Sequence, residues 1–506
     1  MKKIKNLIKK HQYIIFSFIL SFVILLITSK NSFLYPLNDW VDANAFFTMG
    51  KSMMNGIIPY KDLFEQKGIL LYLIYGMGYL ISHKTFYGVF IIEVIFFTIF
   101  LYYSYKIISL FLNKKASYII LPILALIITT SHSFTHGGSA EEFCLPFFAI
   151  TLYHYFKHFK KNQITNKELF ISGLMAGCVL LIKYTLLGFW FAFMMFIFFD
   201  FIRNKKIKEA FTSCLWFLLG MASPIIIAVI YCLLTHSLKD FIDCYFTINM
   251  TAYNETELNI IEKVTNIYEG AIKSLLSNGF IIFLSIILIP LYISKYKVSS
   301  YCKYSIIGVL LITTLGLFWG LHFYRYYILP IFSFIILALI GISLYFNKYI
   351  NKLNNFKYNY LIYILVFTFT IILSYFNANY KEMICMKKSD MFQYKYAEYI
   401  SNYDNPTLLN MGYLDAGLYT TTGIMPNTRF FEVQNIPYSK FPDNLDDMKY
   451  NVENKNITFI LYFTQKNINQ VKENDSYIFE NYNLVFSDNQ KFEEDIYNAY
   501  LFELKQ

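Results

Sequence analysis

Charge is scarce in this chain. Asp, Glu, Lys and Arg make up 15% of it and hydrophobic residues 56%. A soluble domain holds about 45–50% apolar residues, so the surplus must face something other than water. The seven cysteines lack the paired spacing of a metal site, and most, such as Cys178, Cys214 and Cys232, lie inside apolar runs as packing residues. Only Cys244 and Cys385 fall in expected outer segments, where a bridge between them is an option. The net charge of +10 would suit nucleic acid, but no basic stripe interleaved with aromatics occurs on a soluble segment, which excludes that partner. No internal repeat is visible, which argues against an inverted-repeat transporter. No small-residue cleavage site follows Ser29, so the basic start and its apolar run read as a retained first helix.

What is present is a series of apolar runs, each long enough to cross a hydrocarbon core about 30 Å thick. Tyr13–Ser29, Phe86–Leu112, Phe211–Leu234 and Tyr326–Phe346 are the clearest. Lys and Arg gather between them, at Lys2 to Lys10, Lys114–Lys115, Lys157 to Lys167, Arg203 to Lys208, Lys295 to Lys303 and Lys348 to Lys357. Basic loops favour the cytoplasm. Keeping all six clusters inside requires Ile69–Ile81 to lie at the outer surface rather than cross.

The expected fold is an α-helical polytopic membrane protein with about eleven spans. The first two are followed by helices near 116–131, 141–157, 168–183, 185–202, 211–234, 279–294, 303–320, 326–346 and 358–377. The alternative, with Ile69–Ile81 as a span, inverts every later loop. Residues 1–378 form the transmembrane module, with a first outer loop at 30–85 and outer juxtamembrane helices. Residues 379–506 form a small extracytoplasmic α/β domain, whose β-like segments are Thr407–Asn410, Ile457–Tyr462, Leu484–Ser487 and Tyr500–Leu504. The bias toward Lys, Asn, Ile, Tyr and Phe suits an AT-rich bacterial genome, so the location expected is the bacterial cell membrane.

The first outer loop carries the most chemistry. Phe46, Phe47, Met49, Gly50, Met53 and Met54 recur at helical spacing after Asp42, and Asn55-Gly56 ends the helix. Asp42 thus lies at or near an N-cap, where free amides and the helix dipole favour a carboxylate. Capping alone would also explain it. Glu93 stands out because a carboxylate within a span costs about 2.5–3.5 kcal/mol on insertion scales.

Asp42, Phe46, Lys51, Gly56, Pro59-Tyr60-x-Asp62-x-Phe64-x-x-Lys67 and Tyr72 together resemble the opening of the GT-C membrane glycosyltransferases. The likeness is strongest to glycosyltransferase family 39 and its bacterial relatives, the protein O-mannosyltransferase-like and aminoarabinose-transferase-like proteins. Phe64-Glu65-Gln66-Lys67-Gly68 stands where those proteins have a Phe-Glu-Lys-Pro-like motif, with Gly68 in place of the usual Pro. Their acidic pair is Asp42-Ala43 here, with Asp39 three residues earlier, which leaves Asp39 or Asp42 as the essential carboxylate; spacing favours Asp42. Gly137-Gly-Ser-Ala-Glu-Glu-Phe-Cys-Leu-Pro-Phe resembles the second outer loop, Ile171 to Thr185 the small-residue helix ending in Lys, and His322-Phe-Tyr-Arg-Tyr-Tyr-Ile-Leu-Pro the entry to a late helix. Gly173 and Gly177 would equally serve helix packing.

The resemblance implies transfer of a sugar from a polyprenyl-phosphate donor, with inversion, to an extracytoplasmic glycan, lipid or protein. It implies a carboxylate base (Asp42 or Asp39, with Glu142 as a further candidate) to deprotonate the acceptor. Lys67, Lys183 and Arg325 are the candidates to bind donor phosphate, since fixed cations lower the barrier to its departure. Lys67 and Lys183 could instead snorkel to outer headgroups, Glu141 and Glu142 could cap the helix that follows them, and His322 reads as structural. A divalent cation held by Asp42 and Glu142 fits the chemistry, although no dedicated ligand set is present. The alternative function is a transporter or flippase of lipid-linked saccharides, which would pair charges at the bilayer midplane rather than crowd them at one face.

Overall fold

The computed structural model describes residues 2–161, 163–252, 258–346, 348–349, 358–492 and 495–505, with side chains from residue 10 onward. Of the basic cluster Lys348 to Lys357, residues 350–357 lie outside the described residues, as do the side chains of Lys2 to Lys9. The chain clusters into two compact units. One comprises Met1–Ser29, Ile92–Ala228 and Thr256–Lys381, and the other Lys30–Ile91, Val229–Glu255 and Glu382–Gln506.

The first unit is helical. Its principal helices are α1 (Lys2–Thr28), most of the helix Tyr87–Phe111, and those at Ser117–Thr129, Ala140–Lys160, Asn166–Leu180 and Gly188–Arg203. Most of the helix Ile207–Leu234 and the helices Ile260–Ser277, Ser300–Leu317, Ile335–Tyr345 and Asn359–Asn377 complete the set. Among the described residues, seven helices are long and apolar enough to cross a membrane. Their surfaces agree: in Asn359–Asn377 only 11% of the span is covered by protein, and Leu365 and Phe369 are 67% and 61% exposed. Apolar surface that extensive requires lipid, and the protein is a multi-pass membrane protein.

Helix starts follow local chemistry. The Ser139 hydroxyl accepts from Glu142 N at 3.1 Å, Glu141 and Glu142 fill the first turn, and Lys157, His158 and Lys160 fill the last. This arrangement complements the helix dipole at both ends. Thr165 and Glu168 form a capping box for the next helix. That helix carries the small residues singled out in the sequence, and they serve close packing. A Cβ on Gly173 would lie 1.9 Å from Phe217 O, and one on Gly220 would lie 2.0 Å from Phe170 O. Two helix backbones touch there, as only glycine permits.

The second unit holds α2 (Val41–Met54), α3 (Ile69–Ile81) and a four-stranded sheet. Ile69–Ile81 is a separate 13-residue apolar helix, shorter than the roughly 20 residues a perpendicular crossing needs. Gly50 of α2 meets Gly76 of α3 so closely that a Cβ on Gly50 would sit 2.4 Å from Gly76 N. The strands are β1 (Leu408–Met411), β2 (Phe459–Thr464), β3 (Tyr482–Phe492) and β4 (Asp495–Leu504), in the order β1-β2-β4-β3. The β1–β2 pair is parallel and the others antiparallel. All four expected β segments fall on these strands. Every residue of β2 is buried, as a central strand covered on both faces requires. Cys244 and Cys385 are both free thiols. Cys244 is buried and Cys385 exposed, so the optional bridge is absent.

Candidate functional site

In the second unit, α2 begins at Val41 with Trp40 as its N-cap, which supplies no side-chain hydrogen bond. Asp42 lies one position further in, the only acidic residue of the first turn, where the dipole still favours its charge. Asp39 differs in kind. It is 4% exposed, its Oδ1 lies 2.5 Å from Lys30 Nζ, and its Oδ2 accepts from Gln490 Nε2 at 2.9 Å. A buried, ion-paired carboxylate of this sort has both oxygens engaged within the fold.

Glu65 is 5% exposed and organises the segment around Lys67. Its Oε2 accepts from Lys67 N at 2.8 Å and from the Tyr72 hydroxyl in a short bond, and its Oε1 lies 3.9 Å from Lys67 Nζ. That ammonium sits 5.7 Å from the centre of the Phe46 ring. Phe46 is one helical turn beyond Asp42, hence on the same face of α2. Asp42 and Lys67 are thereby brought to one side of α2, although 25 residues of chain separate them.

Two further buried carboxyls, Asp415 and Glu432, join this region and were not singled out by sequence. Thr48 Oγ1 donates to Asp415 Oδ2 at 2.7 Å, and Asp415 N donates to Glu432 Oε2 at 2.7 Å. Burial pushes the Glu432 carboxyl well above the usual carboxylate range, and the charges of Asp415, Glu65 and Asp42 push it in the same direction. Asp415 is also raised, chiefly by burial. Lys51, noted in the sequence motif, is fully buried; burial lowers its ammonium to about 7. It donates to the carbonyls of Tyr419 at 2.9 Å and Ile424 at 2.6 Å. The only trace of Asp415 in the sequence is the turn between Gly412 and Gly417.

In the first unit, Lys183 is ion-paired to Glu141 in a short contact, and its ammonium lies 3.0 Å from the centre of the Tyr327 ring. Lys183 is therefore held within the protein, not extended to headgroups. Arg325 begins the 3-10 helix Arg325–Phe334 two residues before Tyr327, so Glu141, Lys183 and the Arg325–Tyr327 segment come together. His322 stacks on Tyr324 at 6.2 Å. Glu142 accepts from Gly138 N at 2.7 Å, and its carboxyl lies beside that of Glu93. Glu93 in turn accepts from Ser29 Oγ at 2.8 Å. The carboxylate within the span thus ties α1 to the loop before Glu142. Among the described residues no group of three or more His, Cys, Asp or Glu has the arrangement of a metal site.

A family model described as "Putative competence-induced protein Ccs4 N-terminal domain" matches residues 2–380. A search of curated proteins finds no match. Among solved structures, ArnT from Cupriavidus metallidurans in the apo state superposes with a TM-score of 0.60 at 9% identity. The same protein bound to undecaprenyl phosphate gives 0.58 at 10% identity. Both matches cover 97% of each chain. The arabinofuranosyltransferase AftD from Mycobacteria gives 0.51 at 9% identity, covering 98% of this chain and 40% of that one. At these identities the likeness is one of fold alone.

Proposed function

The chain belongs to the family defined by the competence-induced Ccs4 N-terminal domain, and from that premise we propose that it is a membrane glycosyltransferase. It would move a sugar from a polyprenyl-phosphate donor to an extracytoplasmic hydroxyl acceptor. The observation that carries this reading is the shared face of α2, which offers a carboxylate, Asp42, and a cation, Lys67, in a fold otherwise seen in ArnT bound to undecaprenyl phosphate. In the proposed step the acceptor oxygen attacks the anomeric carbon as its proton passes to Asp42. The bond from that carbon to the phosphate oxygen breaks, its electron pair leaves with the polyprenyl phosphate, and the centre inverts. General-base catalysis of this kind contributes about 10²–10⁴-fold. The transition state is oxocarbenium-like, and Lys67 stabilises charge on the departing phosphate.

For the first unit we propose donor-phosphate binding by Lys183 and Arg325, with Glu142 as a further catalytic carboxylate. Asp39 is the weaker candidate for base because Lys30 and Gln490 occupy its oxygens. The proposed topology has about eleven spans with the amino terminus in the cytoplasm, residues 379–506 outside, and Ile69–Ile81 along the outer surface. Membranes supplied with a radiolabelled polyprenyl-phosphate sugar test the assignment. Asp42→Asn is expected to lose transfer at normal expression, and undiminished transfer would remove Asp42 from the base role.

A further inference from the structure

The matched family region ends at residue 380, yet the chain beyond it reaches back to the segment that carries Lys67. Arg429 O accepts from Phe64 N at 2.9 Å, and Arg429 Nη2 donates to Tyr60 O at 3.2 Å. The Phe64 ring packs against Phe430 and Phe441, with centroids 5.2 and 5.0 Å apart. Gln66 Nε2 bonds Gln434 Oε1 at 3.3 Å, and Gln434 Nε2 bonds Glu432 Oε1 at 3.1 Å. From Glu432 the chain of bonds continues through Asp415 to Thr48 of α2. A single polar relay, Gln66–Gln434–Glu432–Asp415–Thr48, therefore joins the Lys67 segment to the helix that carries Asp42.

We infer that residues 429–434 are a strap that positions the Tyr60–Lys67 segment against α2, with Glu432 as the positioning residue at its hub. The inference rests on the transferase reading for its kinetic consequence and on hydrogen bonding alone for its structural one. Glu432 is completely buried, and its two oxygens serve different chain segments, so no other residue of the strap can replace it. A buried network of this kind is effective only when fully satisfied. Glu432 accepts at both oxygens, from Asp415 N at 2.7 Å and from Gln434 Nε2 at 3.1 Å. Glutamine at position 432 accepts from Asp415 N and bonds Gln434 once the Gln434 and Gln66 amides turn over, whereas alanine makes neither bond.

The test compares Glu432→Gln, Glu432→Ala and Gln434→Ala in the full chain, in lipid nanodiscs, against wild type. Two readouts are used: hydrogen exchange at the Phe64 amide, and sugar transfer from a polyprenyl-phosphate sugar. Expected is at least tenfold faster Phe64 exchange in both alanine variants and wild-type exchange in Glu432→Gln. Turnover should fall at least tenfold in Glu432→Ala, and Glu432→Gln should restore it. Should Glu432→Ala fail to fold, Gln434→Ala, which keeps the Glu432–Asp415 bond, decides alone. Unchanged Phe64 exchange in the variants that fold overturns the strap. Accelerated exchange with unchanged turnover overturns the positioning role. If wild type transfers no sugar, the transferase reading fails while Phe64 exchange still decides the strap.

Discussion

Asp39 and Asp42 are three residues apart, and their surroundings differ. Asp39 is buried against Lys30, and removing one member of a buried pair typically costs about 3–5 kcal/mol. Asp39→Asn should therefore lower thermal stability and yield, read by a melting assay on the detergent-solubilised protein, with a smaller loss of turnover per folded molecule than Asp42→Asn. Lys51 makes a prediction about pH. Its ammonium is lowered from 10.5 to about 7 by burial, so between those values the unfolded chain binds the proton and the folded chain does not. Its contribution to stability is smallest below pH 7 and rises toward pH 10. Melting temperatures of wild type and Lys51→Met across that range should diverge, with wild type gaining as pH rises. Parallel curves would show that folding leaves the Lys51 ammonium unshifted. Glu93, conspicuous in the sequence for its expense, is bonded to Ser29 and lies beside Glu142. No spacing rule could have named partners 64 and 49 residues away.

Helices and strands were far more legible than their contacts. Apolar runs mark the helices because a span must bury or lipidate every residue, and punctuation by Gly and Pro marks the strands. The first loop was readable because Asp42, Phe46 and Lys67 lie within one stretch of chain. Asp415 and Glu432 were not, since Thr48 meets Asp415 across 367 residues and nothing in the local pattern around either acid distinguishes it from a turn residue. The helix Asn166–Leu180 was open to two readings, and its glycines fall on the packing side: Gly173 and Gly220 let two backbones touch. Gly220→Leu should therefore separate the pair. Loss of most folded protein, measured by size-exclusion yield in detergent, is the expected outcome, while Leu218→Ala on the exposed face should be tolerated.

At the scale of the molecule, two units built from interleaved chain segments share the ArnT fold over 97% of the length, at an identity too low to carry function by itself. Hydropathy and charge foretold a polytopic helical protein, because lipid imposes the strongest constraint a sequence can record. The proposed orientation of the termini rests on the positive-inside bias. A tag on the carboxyl-terminal segment should accordingly be labelled by a membrane-impermeant reagent on intact cells, and protection would reverse the topology. The proposed reaction is cleavage of the sugar–phosphate bond of a polyprenyl-phosphate donor with Asp42 as base. The most direct measurement is release of polyprenyl phosphate from a radiolabelled polyprenyl-phosphate sugar by purified protein in nanodiscs with cell-envelope acceptor. Wild type should release it in step with glycan labelling, and Asp42→Asn should release about 10²–10⁴-fold less. Equal release by both proteins would contradict the account.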